Sequence, residues 1–389
     1  MAATHQSIVI RLVIAQICVH GTMSGLRMAA PLLALRVGYD AMSVGLLLAL
    51  FGVAQLFLAL PIGRYADRHG SRKPIVMAAS VSAISLLVLG IWPVFEVACF
   101  AAVMNGAAAG TAMISVQRHA GQLSTDHHEM KKIFSWIAVA PTLSNFFGPL
   151  LAGVLIDAFD FQITFLVLCG VPPIAVIALR GLTEPAQRPR PAEDQLYRGS
   201  PFALLKSSAL RRLLIVNLAI SAGWDVLSFM LPLRGHDLGL SASAIGMVLA
   251  SVAIAATASR LMMPWVFRRA HDMWIVYVSM LITGVLFCFV PLASSAIWLG
   301  CLSALLGAFL GSVQPLIMSV LHKMTPPQRQ GEALGLRTMS IYISSITIPI
   351  LSGTIGAAVG TVAVFLLIGA VIGATSRVAR SLIAVSYTH

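Results

Sequence analysis

Apolar runs of about twenty residues, the length a helix needs to cross the hydrocarbon of a bilayer, recur from one end of the chain to the other. They predict twelve spans, near 8–34, 43–63, 74–93, 95–117, 132–156, 161–180, 211–233, 243–266, 273–291, 295–320, 337–357 and 360–383. No alternation of the kind that builds a transmembrane β-barrel accompanies them. The pattern therefore predicts an all-α polytopic membrane protein with both termini on one side.

Composition sharpens this. Of 389 residues 58% are hydrophobic and 10% charged, and the mean hydropathy is +0.90; a soluble domain carries about 25% charge. A net charge of +12 would point to nucleic acid in a soluble protein. Here all the basic residues except Arg27, Arg36 and Arg234 fall at one end of a span or in alternate loops. That is the bias that holds loops in the cytoplasm, so the bilayer and not a polyanion is the expected partner. The cysteines Cys18, Cys99, Cys169, Cys288 and Cys301 all lie within predicted spans without CxxC spacing. They read as packing residues, and neither a disulfide nor a metal framework is expected. The N-terminus lacks a short apolar segment with a small-residue cleavage site, so the first span is expected to be retained.

The chain also repeats itself at an offset of about 200. Val37-Gly38 through Val44-Gly45 answers Leu238-Gly239 through Ile245-Gly246, and Arg11 answers Arg212. Gly106-x-x-x-Gly110 answers Gly307-x-x-x-Gly311, and Pro149-x-x-x-Gly153 answers Pro349-x-x-x-Gly353. Small residues at this spacing let helices approach closely. The repeat divides the chain into a six-helix bundle at 1–181, a charged, proline-rich cytoplasmic linker at 182–210 and a second bundle at 211–389. Two such bundles related by a pseudo-two-fold place a site between them near the midplane.

Polar side chains inside a bilayer are costly and face a cavity or a partner helix. The first span carries Gln16, His20, Ser24 and Arg27, and the seventh carries Asn217, Ser221, Asp225 and Ser228, each at steps of four, four and three. Each set forms one helix face. His20 and Asp225 lie about 12 residues from the predicted cytoplasmic ends of their helices, roughly 18–20 Å in and close to mid-membrane. Both can take up and release protons, so either could carry a coupling proton. Arg27 could anchor an anionic substrate, pair with Asp225 as a structural ion pair, or reach back toward the outer surface. Trp224, Asn145, Gln314 and Tyr342 are further candidates for the pathway. Gln117 and Arg118 end the fourth span, where Arg118 reads as an anchor of the loop charge. No group of residues suited to catalysis or to metal binding stands out.

The densest knot of charge is Gly63-Arg64-Tyr65-Ala66-Asp67-Arg68-His69-Gly70-Ser71-Arg72-Lys73-Pro74, a tight hairpin between the second and third spans. Its spacing of Gly63, Asp67, Arg68, Gly70 and Arg72 resembles the loop signature of the major facilitator superfamily of transporters. In the fifth span, Ser144 through Gly153 resembles that family's antiporter signature at Gly148, Pro149 and Gly153, with Ser144 and Ala152 where the family has glycine. Proton-linked members often carry an arginine four residues before the Gly106 position; here it is Ala102, which puts the usual proton relay in doubt. The resemblance implies two pseudo-symmetric six-helix bundles that rock about a fixed central site. It also implies a gate in which Asp67 engages the start of the eleventh helix, for which Arg337 is the expected partner. The equivalent loop of the second half, Pro264 to Asp272, lacks the glycines and the aligned aspartate.

Together these features predict a secondary transporter and not an enzyme: a proton-coupled exporter of small, partly hydrophobic molecules. The expected location is the bacterial inner membrane, with cytoplasmic termini and a monomeric state. No nucleotide-binding loop of the G-x4-G-K-[ST] type occurs, so no cofactor is expected and the proton gradient is the expected drive. Two alternatives remain open: an importer or exchanger of organic anions, with Arg27 meeting the carboxylate, and a non-transporting membrane enzyme or assembly factor on the same fold.

Overall fold

A computed structural model describes residues 2–123, 127–182, 201–266, 272–326 and 329–386. A membrane offers no water to backbone N–H and C=O groups, so apolar spans of this length close their hydrogen bonds internally as helices. The helices are α1 (Ala2–Val37), α2 (Ala41–His69), α3 (Arg72–Ile91), α4 (Phe95–Leu123), α5 (His127–Phe159), α6 (Phe161–Cys169), α7 (Pro172–Ala178), α8 (Ser208–Asp237), α9 (Ala242–Val266), α10 (Asp272–Phe289), α11 (Ala296–Met324), α12 (Gln330–Val359) and α13 (Thr361–Ser386). Among the described residues there is no strand, and twelve segments are long and apolar enough to cross a bilayer, α6 and α7 making one crossing together. The expected linker lies mostly at 183–200, outside the described residues; the part that follows forms a short 3-10 helix at Pro201–Lys206.

Helices α1–α7 pack among themselves, as do α8–α13, and two long seams join the sets: α2 against α12 and α5 against α9. The outward faces carry exposed apolar side chains such as Ile84, Phe100, Ile163, Val285 and Leu366. In water such a surface would aggregate, whereas lipid accepts it.

The repeat seen in the sequence is also a repeat of contacts. Arg11 on α1 donates to the Arg180 carbonyl beyond α7 at 3.1 Å, and Arg212 on α8 donates to Ser381 Oγ on α13 at 3.5 Å. Gly106 lies against the backbone of Phe51, and Gly307 lies against that of Val252 in the same way. Gly38 and Gly239 follow α1 and α8 at φ +98° and +67°, a left-handed conformation that glycine adopts without a Cβ penalty. The charged hairpin turns as its glycine predicts: Gly70 sits at φ +81° between α2 and α3, and Arg118 on α4 donates to Ser71 Oγ at 3.1 Å.

Of the three basic residues that break the charge bias, two are held by nearby groups. Arg36 pairs with Asp160 and lies over the Phe161 ring, with 5.5 Å to its centroid. Arg234 donates to the carbonyls of Pro291 and Ala293 at 2.7 and 3.0 Å. Arg27 turns inward.

At the face opposite the termini both seams are tight. A Cβ on Gly246 of α9 would lie 2.6 Å from the Pro149 carbonyl oxygen of α5, and one on Gly353 of α12 would lie 2.6 Å from the Ala41 carbonyl oxygen of α2. Gly45 and Gly153 complete these contacts against Pro349 and Ala242. The two seams differ in their capping. Asp40 caps its own helix, accepting from Ser43 N at 2.9 Å and Ser43 Oγ at 2.6 Å, and the Ser43 hydroxyl and N–H hold its carboxyl below the ordinary range. The start of α9 is capped from the other half, by Asp157 of α5.

Candidate functional site

Between the halves lie two adjoining chambers, of about 420 and 670 Å³, a size that suits small-molecule ligands. They share walls at Met113, Thr142, Asn145, Trp224, Asp225, Arg260, Arg337 and Ile341. The smaller chamber reaches toward the sealed face, with His20, Ser24, Arg27, Ser228 and Tyr342. The larger reaches toward the face that carries the termini, with Gln16, Gln117, Ser221 and Gln314.

The stripe on α1 therefore faces the cavity along its whole length. Ser24 donates to Asn145 Oδ1 on α5 at 3.0 Å. Among the described residues the Gln16 amide and His20 Nδ1 are buried without a hydrogen-bond partner, a state that points to a ligand or water, since buried polar groups are nearly always satisfied.

The stripe on α8 divides. Ser221, Asp225 and Ser228 line the cavity, as does Trp224. Asn217 does not: it is fully buried and donates through Nδ2 to Ser340 Oγ on α12 at 2.8 Å. Steps of four residues turn a face by about 40° each, because four exceeds the helical repeat of 3.6. Two such steps set Asn217 about 80° from Asp225, toward α12, where Ser340 takes its amide; Gln16, at the same spacing on α1, still lines the cavity.

Asp225 is the cavity's central group. Its Oδ2 accepts from Ser344 Oγ at 2.6 Å and its Oδ1 from Ser345 Oγ at 3.0 Å, both on α12. Arg27 Nη2 of α1 lies 3.8 Å from Oδ1, an ion pair that bridges the two halves. The Arg27 guanidinium also lies over the Phe51 ring, 6.0 Å from its centroid. It reaches into the protein and not toward the outer surface.

Two arginines of the cavity were not expected there. Arg260 was read among the charges at the span ends; its Nε donates to the Gly311 carbonyl at 3.1 Å and it lines both chambers. Arg337, expected at the gate, also lines both chambers and donates to Gln314 Oε1. Hydropathy gives the depth of a charge along a helix but not which way it turns. For Arg260 the available signal was asymmetry: Ala59 stands at the matching position of the first half.

The antiporter-like residues have separate tasks. Gly148 lies against Gly21 and Gly25 of α1, whereas Pro149 and Gly153 lie against α9. In the expected gate, Gly63, Asp67 and Arg68 fall outside the residues whose surroundings are described, so the Asp67–Arg337 latch does too.

A family model described as Major Facilitator Superfamily matches residues 12–318 and, in a second alignment, 213–386. The chain is similar to the "Uncharacterized MFS-type transporter YuxJ" of Bacillus subtilis (strain 168), with 26% identity over 328 residues covering 78% of this chain and 80% of that protein. It is similar to "Multidrug resistance protein 1" of the same organism, with 24% identity over 325 residues covering 80% of each. A crystal structure of the nucleoside transporter NupG superposes with a TM-score of 0.79 at 15% identity, over 97% of this chain and 99% of that one.

Proposed function

The chain belongs to the major facilitator superfamily, and from that premise we propose that it exports small, partly hydrophobic molecules across the bacterial inner membrane in exchange for protons. Membership makes it a transporter and not an enzyme. The finer reading rests on one observation above the rest: the Arg27–Asp225 pair ties α1 to α8 inside a cavity that is sealed at one face. An ion pair in that position couples the protonation of a carboxylate to the fit between the halves.

In this mechanism a substrate enters from the face carrying the termini, which the loop charges assign to the cytoplasm. Its apolar body lies against Met113, Trp224 and Ile341. The halves then rock, the α2–α12 and α5–α9 seams part, and the substrate leaves outward. A proton reaching Asp225 from outside removes the charge that Arg27 faces and weakens the tie among α1, α8 and α12. The hairpin residues Gly63, Asp67, Arg68, Gly70 and Arg72 close the cytoplasmic face in the alternate state. The chain works as a monomer without a cofactor, driven by the proton gradient. The multidrug-resistance name of one relative supports export.

The test uses everted membrane vesicles held acid inside. Adding a transported compound should draw protons out and restore the fluorescence of a trapped pH-sensitive dye, and a pump-deficient host should tolerate the same compound. Tolerance to no compound, with no proton movement, would overturn the reading.

A further inference from the structure

Among the described residues, the cavity of the proposed exporter is lined by more positive charge than negative. Arg27, Arg260 and Arg337 line it, against the carboxylate of Asp225. Arg27 faces that carboxylate. Among the described residues neither Arg260 nor Arg337 meets an acidic side chain. Guanidinium groups withdrawn from bulk water without a counter-ion are costly, and a chain keeps them where an anion visits.

Their placement is specific. Arg260 comes from α9 and Arg337 from α12, yet both are tethered to α11: Arg260 Nε donates to the Gly311 carbonyl at 3.1 Å, and an Nη of Arg337 donates to Gln314 Oε1. Gly311 and Gln314 lie three apart, about 4.5 Å along the axis of α11, so one stretch of α11 holds both arginines, and both line the same two chambers. Because Arg260 is held through Nε, its Nη1–Nη2 fork stays available for the paired hydrogen bonds that a carboxylate accepts. Arg337 Nε is buried without a partner among the described residues.

The bundle does not require either charge. Ala59 and Ile137 occupy the matching positions of the first half, which makes the same close contacts, Gly106 on Phe51 and Gly110 on Gln55, without an arginine. Apolar and adaptable side chains, Met113 and Trp224 among them, stand beside the pair.

We propose that Arg260 and Arg337 form an anion subsite that receives the carboxylate, or a similar anionic group, of amphipathic organic substrates. This deepens the transport reading above and gives it a substrate class. It also moves the anion-binding role from Arg27, which Asp225 already engages.

The test is binding of three matched probes to the purified full chain by calorimetry: 2-naphthoate, 2-naphthylmethanol and 2-naphthylmethylammonium. The expected result is that naphthoate binds about tenfold or more tighter than the ammonium probe. Arg260→Gln and Arg337→Gln should each weaken naphthoate about tenfold while leaving naphthylmethanol within about twofold. Arg260→Lys and Arg337→Lys should restore part of the loss. Failure of naphthoate to bind, equal binding of the ammonium probe, or equal loss of all three probes in the Gln variants would overturn the subsite. Binding as expected, but with no flux in proteoliposomes, would instead sink the transport reading and leave the subsite standing.

Discussion

Asp157 and Ser243 join the two halves of the molecule at the sealed face. The Oδ2 of Asp157, near the end of α5, accepts the Ser243 backbone N–H at 2.7 Å, and its Oδ1 accepts that of Ala242 at 2.9 Å. Both donors belong to the first turn of α9, where N–H groups lack partners within the helix and the helix dipole favours negative charge. One carboxylate thus fastens α5 to α9, and α12 has Ala357 at the corresponding position. Among the described residues, the seal at this face is held by charge on one seam and by packing on the other.

Removing that carboxylate should loosen the seal. Asp157→Ala deletes two charge-assisted hydrogen bonds at an exposed site, which puts the cost near the low end, about 1–1.5 kcal/mol. That corresponds to about five- to tenfold more opening. A cysteine introduced at Ser24 should be alkylated faster by that factor when an impermeant reagent is added from outside. Asp157→Asn, which keeps one acceptor, should fall between. An unchanged rate in both variants would show that the seam holds without the cap.

Packing at the seams gives a second prediction. Gly246→Leu drives a side chain into the Pro149 carbonyl, which as backbone cannot move aside. Overpacking of this kind costs about 1–3 kcal/mol, and it should lower the thermal midpoint and favour the outward-open state. Gly373→Ala is the control, because a Cβ there meets nothing within 4 Å. It should leave stability unchanged or raise it by about 0.5–1 kcal/mol through helix propensity.

Much of this was legible in the sequence, for a physical reason. A bilayer makes each polar residue expensive, so the stripes Gln16–His20–Ser24–Arg27 and Ser221–Asp225–Ser228 could be read as a cavity wall from spacing alone. The seam glycines were visible because a close approach admits only small residues, and their recurrence at one offset separated them from chance. What the chain did not disclose was azimuth and long-range partnership. Arg260 and Arg337 sit near helix ends, where an arginine ordinarily faces water or lipid headgroups. Asp157 was overlooked for the same reason, since its partners lie 85 and 86 residues away. Asn217 looked like a stripe member because helical drift is about 40° over one step of four and doubles over two, and because spacing does not show that Ser340 of α12 takes its amide.

Asn217 supplies a third prediction. Its Nδ2 donates to Ser340 Oγ while its buried Oδ1 has no partner among the described residues. Ser340 also donates to the Arg337 carbonyl at 2.7 Å, so it stays satisfied if Asn217 is removed. Asn217→Ala should therefore cost about 1 kcal/mol or less in stability and leave substrate affinity within about twofold. A tenfold loss of affinity at unchanged stability would return Asn217 to the pathway.

The last prediction separates the two tasks given to Asp225. If it carries the coupling proton, Asp225→Asn fixes the neutral state: accumulation driven by a pH gradient should fall by about tenfold or more, while substrate-for-substrate exchange, which moves no net proton, should persist within about threefold. If Asp225 serves only to balance Arg27, the variant leaves Arg27 without its counter-charge, and both fluxes should fall together with stability. Adding Arg27→Gln removes that stranded charge. The double variant should regain thermal stability in either case, and it should regain gradient-driven flux only if the carboxylate is structural. Ser344 and Ser345 can hydrogen-bond an amide as well as a carboxylate, so local geometry should survive the substitution and the comparison reads charge. Gradient-driven flux that stays at the wild-type level in Asp225→Asn would remove this residue from the proton path and pass the role to His20, a second group on the cavity wall that titrates near neutral pH in water.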